Sequence, residues 1–367
     1  MSTTSQSLNP ARADREKLQA MMGRYGETLT QGLNCALSLL GSELGLYSAL
    51  AELGPANSSA LAQRLGLHER WVREWLRQQA CMGQIDYDEA QDNFSLSPEA
   101  RLLFADPHSP FGAHGGLEVV VAMIGRATQL KESFRTGVGH PYDDLGHVCA
   151  CGLERMRTYQ KKHQLVPDVL PLLTDVLPRL QQVARIADVG CGAGQATLAM
   201  ARAFPNSHVY GYDTSQHALE RALANLADEP LPNVSFHNPL HTPMAQHGPF
   251  ELITTFDVVH DVAHPDRLIA TIHEALHDDG AWLCEDIRSF ETFAENMKQL
   301  PGVGLLYGLS INICMASGLS EPDGAGLGTL GFNETVARAM TSAAGFTQFR
   351  KLPYDSRGNS DFYEVRK

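Results

Sequence analysis

A chain of 367 residues, 43% hydrophobic and 19% charged, has the composition of a folded globular protein, and its length predicts two lobes with a sizeable buried interior. A formal net charge of −13 opposes broad attraction to phosphate backbones or anionic lipid, so neither nucleic acid nor a membrane is the expected partner. No apolar run approaches the length of a bilayer span, and seven scattered cysteines suit reduced thiols in a cytoplasmic protein better than a disulfide framework.

The opening MSTTSQSLNPARADREK is polar, mixed in charge and without an apolar h-region, and residues 1–20 are expected to form a loose tail. Residues 28–53 then carry apolar side chains at helical spacing up to Gly54-Pro55. A capped short helix, a turn at Gly66, a second amphipathic helix and a polar hairpin between Ile85 and Leu96 follow, which together predict a winged helix-turn-helix over 21–105. Arg70, Arg73 and Arg77 recur on its second helix at the spacing of a DNA-facing stripe. The wing, however, holds Asp86, Asp88, Glu89 and Asp92 and no Lys or Arg between Gln84 and Pro98, which repels phosphate. The lobe is therefore read as a packing or dimerisation module, with a homodimer expected from the apolar surface of 28–53. A ligand-sensing DNA-binding regulator is the alternative of a different class.

Residues 106–180 read as helices joined by Gly- and Pro-rich turns, a connector and substrate lid. Within them His147, Cys149 and Cys151 of HVCAC lie too close together for the usual zinc spacings, and no metal is expected.

From Val183 short apolar strands alternate with amphipathic helices, the pattern of a parallel sheet covered on both faces. The expected class over 181–367 is α/β, a Rossmann-like sheet of seven strands at ARIADVG, SHVYGYD, NVSFHN, FELITTFDV, GAWLCEDI, TQFRKL and DFYEVR. Helices are expected near 195–204, 215–227, 264–278 and 334–344.

ADVGCGAGQAT follows the first of these strands and opens a helix, so its glycines let a ligand approach the backbone at the carboxyl edge of the sheet. A dinucleotide fingerprint wants glycine at 195, where Gln195 stands, and this weakens a nicotinamide-dehydrogenase reading. Asp213 ends the next strand, where a carboxylate accepts hydrogen bonds from a ribose diol. On the Gly motif, the strand-end acid and the strand order, this lobe resembles the class I S-adenosylmethionine-dependent methyltransferases. The resemblance implies S-adenosyl-L-methionine as cofactor, with Gly190, Gly192 and Gly194 along its methionine and ribose, Asp188 near the amino group and Asp213 on the ribose. Asp257, after the fourth strand, is counted in the same cofactor set. The acid that many relatives hold against adenine is missing, leaving Asn238, Leu240 or His241 in its place.

Plant-type O-methyltransferases and their bacterial relatives combine a helical winged-helix lobe with this sheet, and the chain is similar to them over most of its length. In that group a histidine of a His-Asp pair after the fourth strand deprotonates the acceptor, and FDVVHDVAHP places His260 and Asp261 similarly. An imidazole of near-neutral pKa suits proton removal from a hydroxyl before methyl transfer. The resemblance also implies a carboxylate on the fifth strand that orients the histidine, assigned to Glu285 of AWLCEDI, while a further family carboxylate has no counterpart near Gly331. His260 and His264 are four apart, but Pro265 and the absence of an H-E-x-x-H glutamate argue against a metal pair. The resemblance further implies that Tyr159 and His163 face the cofactor's methyl group and touch substrate, with His163 a spare base. The activity so implied is methyl transfer to a small-molecule acceptor, most often a hydroxyl. Sulfur or nitrogen methylation is the alternative.

Overall fold

A capped helix opens the described chain: the Asp14 carboxylate accepts from the backbone N–H groups of Glu16 and Lys17, and Arg15–Glu43 winds as one helix. The structure, a computed structural model, describes residues 14–107, 109–356 and 359–367. Residues 1–13 of the expected loose tail lie outside those described, whereas 14–20 belong to this helix, because the cap and the apolar positions Leu18 and Met21 extend the helical pattern towards the amino terminus. By its contacts the chain divides into two units, residues 1–117 and 118–367.

In the first unit Gly45, at φ +71°, turns the chain from the long helix into Leu46–Leu53, so the apolar stretch 28–53 is divided between two helices. Helices Ser58–Leu65 and Glu69–Cys81 and a hairpin of β1 (Asp86–Asp88) and β2 (Asn93–Ser95) complete a winged helix. Its core gathers Leu46, Tyr47, Leu50, Leu61, Leu76, Phe94 and neighbours. Trp75 donates from Nε1 to the Leu37 carbonyl at 2.9 Å and fills the space that a side chain at Gly41 would need. The apolar residues at 46–50 are thus used internally, and the uncovered stripe lies earlier on the long helix: Leu18, Met21, Met22, Tyr25, Leu29 and Leu33, 49–67% exposed at helical spacing.

In the second unit seven strands form one sheet: β3 (Arg185–Val189), β4 (His208–Tyr212), β5 (Val234–His237), β6 (Phe250–Phe256), β7 (Leu276–Ile287), β8 (Gln348–Lys351) and β9 (Ser360–Arg366), in the order β5-β4-β3-β6-β7-β9-β8. Strands β3 to β7 pair in parallel, and β9 is antiparallel to both β7 and β8. Helices Gln195–Ala203, Gln216–Asp228, Pro265–Ala275 and Glu334–Ala343 stand between the strands, within a few residues of the predicted ranges. Alternation along each strand divides two apolar clusters between the faces. Ile186, Leu252 and Leu283 enter one with Leu165, Val169 and Met200; Ala187, Ile253, Trp282 and Cys284 enter the other with Val259, Ile269 and Phe332.

The chain runs from β3 to β4 and β5 on one side, then returns to place β6 on the other side of β3. Loops after β3 and β6 therefore diverge at the sheet's carboxyl edge, where open α/β sheets hold ligands. Helices His114–Arg126 and Gly146–His163, with the segment 303–318, contribute a separate apolar cluster of Val119, Met123, Cys149, Ile313 and Cys314.

Candidate active site

The glycine turn after β3 is held by both flanking strands. Gly190 and Cys191 donate backbone N–H to the Tyr212 carbonyl at 2.8 and 3.0 Å. At Gly190, φ is +68° and a Cβ would collide with Val258, so both backbone and space demand glycine. At Gly192, φ is +55° and nothing stands within 4 Å of where a Cβ would be, leaving a bare backbone at the rim. Gly194 ends the turn as the N-cap of Gln195–Ala203, closely backed by the Phe236 ring.

Asp213 bridges this turn to β4. One of its carboxylate oxygens accepts from the Gly192 N–H at 2.8 Å and the other from the Ser215 N–H at 2.8 Å, and each oxygen keeps a second lone pair for a hydroxyl. Asp188 differs from the expectation. It is buried, with its two oxygens accepting from Thr197 Oγ1 at 2.6 Å and Thr254 Oγ1 at 2.8 Å, so the carboxylate braces the turn from beneath rather than presenting itself to a ligand. Burial raises its pKa and the two hydroxyls oppose the shift. In the loop after β5, Asn238 spends its Oδ1 on the Leu240 N–H, while Leu240 and His241 are exposed.

After β6 the backbone bends at Asp257, a non-glycine residue at φ +60° whose N–H is held by the Glu285 carbonyl at 3.0 Å. Its carboxylate pairs through Oδ2 with Arg157, and Oδ1 is buried without a hydrogen-bond partner. His260 follows, 2% exposed. Its Nδ1 lies 2.6 Å from Asp286 Oδ1 and its Nε2 3.2 Å from Asp261 Oδ1. Burial lowers the imidazole pKa, but Asp286 and Asp261 together outweigh it and lift the pKa well above the ordinary value.

The carboxylate beside the histidine is therefore Asp286, not Glu285. The two are consecutive on β7, so alternation sends them to opposite faces: Asp286 to the face of Cys284 and Val259, Glu285 to the face of Leu283. Fully buried, Glu285 takes Lys161 on Oε2, with Gln160 Nε2 at 3.4 Å and Arg157 at 3.7 Å on Oε1. Burial alone would raise its carboxyl; Lys161 and Arg157 hold it below its ordinary value.

Helix Gly146–His163 explains a second correction. Arg157 and Lys161, one turn apart, occupy the stripe facing the sheet, with Lys161 Nζ also 3.7 Å from the Phe256 ring centre. Tyr159 is two residues, about 200°, around the helix from Arg157. The Tyr159 and His163 rings accordingly meet each other, centres 4.8 Å apart and planes tilted by 44°, with His163 exposed, and do not join His260. His264 pairs with Glu321 at 3.3 Å rather than with His260. The sequence reading also missed Thr197, Thr254, Arg157 and Cys314. Only the i, i+4 pair of cations on one helical face was a signal available in advance.

Residues 181–311 match the family model described as a methyltransferase domain. Residues 33–105 match an Rv2258c-like winged HTH domain. The chain carries a methyltransferase domain behind a winged HTH domain. Among curated proteins it is similar to mitomycin biosynthesis 6-O-methyltransferase of Streptomyces lavendulae, 34% identical over 95 residues, 26% of this chain and 27% of that one. It is also similar to trans-aconitate 2-methyltransferase of Streptomyces coelicolor, 43% identical over 53 residues, 13% of this chain and 18% of that one. The chain thus spans under a third of the length of each. Among solved structures, mitomycin 7-O-methyltransferase superposes with a TM-score of 0.68 at 20% identity, covering 96% of this chain and 100% of that one. Human N-acetylserotonin methyltransferase, in complex with S-adenosylmethionine, gives 0.67 at 15% identity and 99% of both chains. At such identities these likenesses establish the fold: a seven-stranded, Rossmann-like methyltransferase sheet with an N-terminal winged helix.

Proposed function

We propose that the protein transfers a methyl group from S-adenosyl-L-methionine to a hydroxyl of a small molecule, with His260 as general base. The observation that carries this reading is the buried His260–Asp286 contact at 2.6 Å, set at the sheet edge beside the glycine turn. The cofactor fits the residues present: a bare backbone at Gly192 and a strand-end carboxylate with lone pairs to spare suit a nucleoside diol. Gly190, Gly192, Gly194 and Asp213 would hold it, with Asp188 bracing the turn and Asp257, whose Oδ2 is paired with Arg157, offering the cofactor its Oδ1. Bound S-adenosylmethionine supplies an activated methyl on a sulfonium centre.

The protein's own part is to position and deprotonate. Asp286, accepting from Nδ1–H, fixes the tautomer in which the neutral ring carries its lone pair on Nε2, where it can take the acceptor's proton. Asp286 and Asp261 stabilise the imidazolium that forms, which makes His260 a stronger base than free imidazole. Burial of the ring keeps bulk water from competing for its lone pair. The O-methyltransferases among the relatives and structural neighbours favour a hydroxyl over sulfur or nitrogen. Incubation with methyl-labelled S-adenosylmethionine and a panel of hydroxyl, thiol and amine acceptors, read by mass shift, tests this. Labelling of hydroxyl compounds is expected, and labelling confined to thiols or amines overturns the assignment.

The reading includes a cytoplasmic homodimer formed through the stripe Leu18 to Leu33. Light scattering at micromolar concentration is expected to give twice the chain mass, and Leu29→Glu to halve it. Arg70 and Arg73 of the winged helix pair with Glu74 and Glu69, which supports a module that does not bind DNA. No helix among the described residues is long and apolar enough to cross a membrane.

A further inference from the structure

Around His260 the polar groups are arranged in a way that proton transfer alone does not explain. His260, Asp261 and Cys314 each offer a ligand atom within 4.8 Å of the others. Asp261 Oδ1 stands 3.2 Å from His260 Nε2, yet it is buried and makes no hydrogen bond. Once the ring has lost its proton, two polar atoms that close, with no hydrogen bond between them, have lone pairs free for a shared cation. A separation of about 3.3 Å is what two ligands on one tetrahedral zinc show, given bonds of about 2.0–2.1 Å.

The surroundings fit the same geometry. Asp286, at 2.6 Å from Nδ1, leaves Nε2 as the free donor and supplies the carboxylate–histidine contact found behind metal-bound imidazoles. Thr329 Oγ1 donates to Cys314 Sγ at 2.9 Å, the kind of hydrogen bond that steadies a thiolate ligand. With the imidazole and thiol protons displaced, the imidazole, carboxylate and thiolate sum to two negative charges, which a divalent cation neutralises. The three ligands come from the loop after β6 and from the segment at 314, and a fourth position is left for solvent or ligand, so no local spacing in the sequence announces the set.

We propose that His260 Nε2, the Asp261 carboxylate and Cys314 Sγ bind a thiophilic divalent cation of the zinc class, and that the bound ion switches methyl transfer off by occupying the lone pair the acceptor's proton needs. The second half rests on His260 being the base; the first does not. Binding replaces the thiol proton and the Nε2 proton of the charged imidazole: the S–H and N–H bonds break, the electron pairs left on sulfur and nitrogen form the metal–ligand bonds, and both protons leave to solvent.

The experiment uses the full chain with the metal alone. Cobalt(II) titration is expected to produce a sulfur-to-cobalt charge-transfer band in the near ultraviolet that saturates at one equivalent and is abolished by zinc. Cys314→Ser should remove the band while leaving the melting temperature near wild type. Cys151→Ser should retain it, which disposes of the surface pair in which Cys151 Sγ lies 3.6 Å from His147 Nδ1. Absence of the band, or its survival in Cys314→Ser, overturns the site. In the methyl-transfer assay, zinc is expected to reduce turnover to background and a chelator to restore it; unchanged or faster turnover overturns the inhibitory half. A cobalt band in a chain that methylates no acceptor leaves the metal site standing and refutes the proposed function instead.

Discussion

Glu285 and Asp286 are neighbours on one strand, equally buried, and they face opposite chemistry. Glu285 is compensated by Lys161, Arg157 and Gln160, all from one helix, and its carboxylate is held in the charged form. Asp286 Oδ1 meets the His260 imidazole and accepts the Ile287 N–H at 2.8 Å, while its Oδ2 is buried without a partner. A saturated buried ion pair has settled geometry and little left to offer a ligand, so it fastens a helix to the sheet. An undersaturated one keeps capacity in reserve, and that capacity lies where chemistry is expected.

The largest effect that would test this contrast is at His260. His260→Ala should cut turnover by roughly 10²–10⁴ while cofactor affinity, measured by calorimetry, stays near wild type, because only the proton-transfer step loses its partner. Wild-type turnover in this variant would place the base elsewhere and remove the reason for treating the Asp286 side as reactive.

The pair itself can be split. Glu285→Gln leaves the buried Lys161 ammonium with a neutral partner and should cost about 3–5 kcal/mol in denaturant unfolding, with turnover per folded molecule little changed. Asp286→Asn should do the reverse, lowering turnover with a smaller loss of stability, since an amide cannot fix the imidazole tautomer or stabilise its cation. If both variants lose stability equally and neither loses turnover, the distinction between the two faces fails.

Asp213→Ala should weaken cofactor binding by about 1.5–3 kcal/mol, the range for lost charge-assisted hydrogen bonds, and it also frees the Gly192 N–H. Calorimetry that finds no change would put the ribose away from β4. The smallest effect expected is on acid stability. Glu285 has a folded-state pKa below its ordinary 4.5, so its contribution is present above that value and lost as pH falls through the lower folded value. Wild type should therefore shed stability at acid pH more steeply than Glu285→Gln; parallel acid-unfolding curves would contradict the pairing.

Read by itself, the sequence determined the periodic parts. Alternating apolar strands and amphipathic helices prescribed the seven-stranded sheet, and the acidic hairpin after two short helices prescribed the winged helix, because period-2 and period-3.6 burial are local properties of a chain. The glycines at 190, 192 and 194 were legible for a similar reason, since positive φ restricts the residue at its own position. Tertiary structure decided everything that depends on which face meets which neighbour. A shift of one residue exchanges Glu285 for Asp286, and no local pattern registers it, because both lie in the same apolar run and both are acidic. Two residues around a helix exchange Tyr159 for Arg157, and the stretch at 46–50 looked free to join a partner until its own core claimed it. Cys314 meets His260 across more than fifty residues of intervening chain, a convergence that spacing cannot encode and only packing brings about.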